Sequence, residues 1–166
     1  MGAAAALAAV VIPASAAAYV LSDDLLEVLA TAPVSKGIAV GEGKFSKGQP
    51  ADQFHVAAHG TSTDARGSIR LNQEGFAEVR GQVNCIVVYG AIAGISGTLD
   101  QPVGPAGEFT YFALAVVDNG EPGGATPDKA IYEVRNMPAG GDCGLFALLS
   151  LGAQPILEGN IVVKTK

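Results

Sequence analysis

Beyond Gly37 the chain alternates apolar and polar residues with a period of two, the pattern of strands that bury one face. The clearest stretch is Ala77-Glu78-Val79-Arg80-Gly81-Gln82-Val83-Asn84-Cys85. Its odd positions are apolar or small, which predicts Cys85 pointing inward with Val79 and Val83. Ile86 to Tyr89 is apolar throughout, as expected of a strand covered on both faces. Gly90 marks a turn, and Ala91 to Leu99 completes a hairpin. Glu108 to Val117 is a further β-rich run, with Phe109, Tyr111, Ala113, Ala115 and Val117 sharing a face. The other predicted strands are Gly37–Phe45, Gln53–His59, Gly67–Asn72, Ala130–Arg135, Leu145–Leu149 and Gly159–Lys164. Turn-rich segments separate them, notably 48–50, 100–107, 119–128 and 137–142. About eight or nine strands without a long amphipathic helix predict an all-β domain, an antiparallel barrel or sandwich.

The first residues follow a different pattern. Gly2 to Leu21 is uncharged and rich in Ala, Val and Leu, interrupted at Pro13. The small residues Ala14 to Ala18 offer cleavage sites after Ala16 or Ala18, so residues 1–18 read as a signal-like apolar leader helix. A basic n-region is missing, so the true start is expected upstream. The competing reading is a membrane anchor, since about 20 apolar residues span a bilayer. Pro13 and the lack of flanking Lys or Arg favour the leader. Ser22-Asp23-Asp24 then caps a short helix through Leu29, with aspartates at the positive end of its dipole. Residues 19–36 are thus a short helix and linker, or a propeptide, before a domain at 37–166.

Composition narrows the functions available. The chain has 166 residues, 22 Gly, 9 Pro, no Trp and a formal net charge of −6. With 10 Lys+Arg and no basic run, it is not built for nucleic acid or for an anionic membrane. With the leader removed, no stable membrane insertion is expected.

The body contains two cysteines, Cys85 and Cys143. In an exported chain they are expected to form one disulfide. The alternative is nucleophilic chemistry. Val56-Ala57-Ala58-His59 resembles the histidine segment of chymotrypsin-like cysteine proteases, and Gly141-Asp142-Cys143-Gly144 resembles their nucleophile segment. Asp100 falls between, giving the His, Asp, Cys order of a triad, in which the imidazole takes the thiol proton and the carboxylate orients the ring. Three features count against it: too little chain follows Cys143 to wall a specificity pocket, Leu145 stands where that family has a second glycine, and Cys143 has a partner in Cys85.

Two groups of residues invite a metal reading. His55 and His59 have the H-x-x-x-H spacing that suits zinc on a helix, but here the alternation is that of a strand. Residues four apart on a strand are about 13 Å apart, too far to share an ion. Both histidines are therefore expected to face solvent. Asp118, Asn119 and Glu121, joined by Asp128, form an oxygen-rich loop and a candidate calcium ligand set. Its spacing does not match an EF-hand, and Asn-Gly followed by Pro-Gly is also ordinary turn chemistry. No other cofactor is implied, for the sequence carries no P-loop, dinucleotide fingerprint, G-x-S-x-G or CxxC pair.

From Gly41 onward the chain resembles a family of secreted, functionally uncharacterised bacterial all-β domains, common in actinobacteria. The resemblance rests on an ordered series: Gly43-Lys44-Phe45, Ala65-Arg66-Gly67, Gly81 to Val88, Ala93 to Gly97, Phe112 to Gly123, Pro127-Asp128 and Gly159 to Val163. It implies a barrel or sandwich and an exported location, and supplies no catalytic residues. The segment Asp23–Leu29 departs from it. The sequence thus points to a secreted or cell-surface domain with a binding or structural role. Its expected partner is a small molecule or a cell-surface component, held in a barrel mouth near Phe109 and Tyr111.

Overall fold

The computed structural model describes residues 36–45, 53–72, 78–104, 106–121, 124–136, 143–147, 150 and 152–166. The leader and the Ser22-capped helix lie outside the described residues. Eight antiparallel strands form a closed barrel in chain order. They are β1 (Gly37–Phe45), β2 (Gln53–Gly60), β3 (Ala65–Asn72), β4 (Val79–Tyr89), β5 (Ile92–Val103), β6 (Phe109–Val117), β7 (Lys129–Arg135) and β8 (Gln154–Thr165). The sandwich alternative is set aside, because β8 returns to pair with β1 and leaves one continuous sheet.

Alternation decides which side chains fill the barrel. On β2, Phe54, Val56 and Ala58 are buried while His55, Ala57 and His59 are exposed. Ile69 and Leu71 of β3 and Phe112, Leu114 and Val116 of β6 join them in one interior cluster. Gly97 shows how tightly it is filled: a Cβ there would lie 2.7 Å from the Phe112 ring. Tyr132 enters the same cluster, and burial pushes its phenol up to about 12. The interior is a packed core of side chains, as in other small barrels. A ligand in the mouth near Phe109 and Tyr111 is therefore not what this barrel offers: those two residues lie on the outward parity of β6, and its inner face is Phe112, Leu114 and Val116.

Cys85 also faces outward, contrary to the alternation of its own strand. The β4–β5 register runs Val83↔Gly97 and then Cys85↔Ser96, so Asn84 is an extra, bulged residue. A bulge reverses the parity of everything after it. Val83 points into the barrel before it; Ile86 and Val88 do so after it. Cys85 and Val87 instead join Ala113 and Cys143 in a second cluster on the outer wall. In the Ile86–Tyr89 stretch the inner face is buried at Ile86 and Val88, and the outer face is partly covered at Val87.

That outer cover is a short helix, α1 (Gly144–Ala147), where the start of a strand over Leu145–Leu149 was expected; residues 148 and 149 lie outside the described residues. Leu and Ala are better helix formers than β-branched residues, and the segment contains no Val, Ile or Thr. It packs on β4, β5 and β6. Gly94 makes this possible, since a Cβ at that position would lie 2.3 Å from the Cys143 carbonyl oxygen. Among the described residues no helix is long and apolar enough to cross a membrane.

Candidate functional site

Three places carry the chemistry singled out in the sequence. The first is the outer cluster, where Cys85 and Cys143 form a disulfide with Cα atoms 5.9 Å apart. Cys143 is wholly buried. No described cysteine is free, so the thiol required by the protease alternative is absent. The rest of that triad is not assembled either. His59 is exposed on β2, in register with Ile38 and Arg66. Asp100 accepts a hydrogen bond from Gln82 Nε2 at 3.2 Å.

The second place is the acidic loop between β6 and β7. The structure brings Asp118, Asn119 and Asp128 together, but around backbone donors. The Ile161 N–H donates to Asp128 Oδ2 at 2.8 Å, and the Asn119 N–H to Asp128 Oδ1 at 2.8 Å. The Val163 N–H donates to Asp118 Oδ2 at 2.9 Å, and the Gly120 N–H to Asp118 Oδ1 at 2.9 Å. Asn119 Nδ2 donates to the Pro127 carbonyl. Glu121 is exposed and its side chain takes no part in these bonds. Among the described residues no three His, Cys, Asp or Glu side chains converge as a metal site would need. The loop is a latch: its carboxylates accept N–H groups along β8, the strand that closes the barrel. Each such bond is charge-assisted and stronger than a neutral one.

The third place is the outer wall over β8 and β1 to β5, where a depression of about 910 Å³ opens to solvent. Strand register explains it. Ala57 of β2 stands beside Ser68 of β3, and these two small side chains form a low floor. Longer side chains rise around them. One row runs in register from Asn160 through Glu42, His55 and Arg70 to Arg80, crossing five adjacent strands. His55 Nδ1 and Glu42 Oε2 are 2.8 Å apart. Glu78 stands 3.8 Å from Arg70 and also pairs with Arg80. Gln82 and Asp100 close the far side, and half-exposed Val40 lines the near one.

No family model matches the chain, and neither does any curated protein or solved structure. What the structure defines is a class: a filled, eight-stranded up-and-down barrel, closed by a carboxylate latch and stapled on its outside by a disulfide. Both histidines face solvent, as their alternation predicts, but nothing in the sequence pattern marks the depression that one of them lines. Its residues come from six different strands, and only their alternation hints that they share the outer wall.

Proposed function

We propose that this chain is an exported domain that works by binding, and that its binding surface is the depression on the outer wall of β8 and β1 to β5. The apolar leader and the buried disulfide support export, since disulfides persist in oxidising compartments. One observation carries the binding reading. The barrel interior is filled, whereas the outer wall offers a concave surface of ligand-site size with convergent polar heads. The chemistry for catalysis is poor by comparison, with Cys143 oxidised and His59 exposed on a strand that faces no thiol among the described residues.

A class-neutral test uses the isotope-labelled domain and a library of neutral, acidic and basic fragments. Amide shifts are expected to concentrate on Glu42, Ala57, Ser68 and Gln82. Shifts scattered over the barrel, or gathered on the 118–128 loop, would contradict this assignment.

A further inference from the structure

Resting on that reading of the outer wall, we propose that its ligand is a neutral polyhydroxylated chain, an oligosaccharide without ionised groups. Charge decides the class. The ionisable groups around the depression already have partners within the protein: charged ones for Glu78 and, when His55 is protonated, for Glu42, and a neutral amide for Asp100. Glu42 holds His55, Glu78 holds both Arg70 and Arg80, and Asp100 holds Gln82. Arg70 and Arg80 are thus opposed by Glu42, Glu78 and Asp100, and no sign dominates the surface.

An ionised ligand gains little there. An anion must compete with Glu78 for the two guanidinium groups while approaching a chain of formal net charge −6. A cation must take Glu42 or Asp100 from partners that already hold them. A hydroxyl group meets neither obstacle, because it donates and accepts at once. It can accept from an arginine and donate to the carboxylate beside it, bridging each pair without separating it. These heads are within reach: the side chains of Glu42, His55, Arg70 and Arg80 are all more than half exposed. The low Ala57–Ser68 floor leaves room for a ring to settle between them, and Val40 supplies an apolar contact for its C–H face. With no aromatic side chain lining the depression among the described residues, each ring is held weakly, so a chain of several is favoured over a single sugar.

The test uses three hexasaccharides that differ in charge: the neutral hexamer of N-acetylglucosamine, its cationic deacetylated form, and an anionic hexamer of galacturonic acid. Each is titrated into labelled protein at low and high salt, with Ser68→Leu as the variant that fills the floor. Ser68 is exposed, so this variant keeps the core intact. The neutral hexamer is expected to shift the amides of Ala57, Ser68 and Gln82 with an affinity unaffected by salt. Ser68→Leu is expected to weaken it roughly tenfold. Preferential, salt-sensitive binding of either charged hexamer in the depression would overturn the ligand class but leave the surface assignment standing. The same holds if fragments bind there and no hexamer does. If neither fragments nor hexamers touch the depression, the surface assignment itself falls.

Discussion

Strand β8 has two neighbours and is held to them by different means. Along β1 it pairs over the whole of β1 and all but the first residues of β8, from Gly37↔Thr165 to Phe45↔Ile156. Along β7 the ladder consists of Lys129↔Pro155 and Ala130↔Gln154 alone among the described residues. Past that point the seam passes to side chains and to one carbonyl. Asp128 O accepts from the Ile156 N–H at 2.8 Å, and the carboxylates of Asp128 and Asp118 accept from Ile161 and Val163. A closing strand needs acceptors for the N–H groups on its second edge. This barrel supplies them from a loop. The difference explains why so many oxygens gather between Val117 and Lys129.

The comparison can be tested by loosening one seam at a time. The largest effect belongs to the disulfide, because Cys143 sits in the connection from β7 to β8 and pins it to the outside of β4. The bridge spans 58 residues, so replacing both cysteines with alanine should cost about 4 kcal/mol on a chain-entropy basis. Urea unfolding of the double variant measures it. Next comes Asp128→Ala, which strips acceptors from the Ile161 and Asn119 N–H groups together. Asp128 is buried, and the expected loss is about 3 kcal/mol, read as a lower denaturant midpoint with an unchanged slope. Asp118→Asn keeps one acceptor oxygen on a half-buried side chain and should cost about 1 kcal/mol. The smallest effect lies outside both seams. Glu42→Gln weakens an exposed β1–β2 contact to His55 and should change stability by less than about 1 kcal/mol.

Alkaline pH acts on the core and on neither seam in particular. Burial raises the Tyr132 phenol from 10.0 to about 12. The folded state therefore favours the neutral phenol, and that contribution is complete below pH 10. It is lost as pH rises from 10 towards 12, where tyrosinate must form inside the barrel. Unfolding midpoints measured across that range should fall steeply, and less so for Tyr132→Phe.

Much of the barrel is legible in the sequence because alternation is local. The pattern of β1 and β2 places each strand to within a residue. Gly90 reads as a turn, and its φ of 59° at the first central position of the two-residue hairpin is the II′ geometry that glycine permits. The pattern misleads where a distant contact overrules it. Asn84 looks like one more polar residue in a regular strand. Its bulge shows only against β5, where Val83 stands opposite Gly97 and Cys85, not Asn84, opposite Ser96. That bulge turns Cys85 outward. Leu145–Leu149 is apolar enough for a strand, and only Gly94, some fifty residues earlier, shows that a helix over Gly144–Ala147 is accommodated. Asp118 and Asp128 stand out as a cluster, yet their acceptor role depends on Ile161 and Val163, which no spacing rule connects to them. The outer depression is the least legible feature, since a floor of Ala57 and Ser68 exists only once β2 and β3 are in register.

Hydrogen exchange at the two edges of β8 tests the latch most directly. The Ile161 and Val163 amides face the acidic loop, while those of Val162 and Lys164 alternate toward β1. In an Asp118→Asn, Asp128→Asn double variant, Ile161 and Val163 should lose protection at least roughly tenfold more than Val162 and Lys164. Unchanged protection at Ile161 and Val163 would mean that the seam closes without its carboxylates, and the latch would be contradicted.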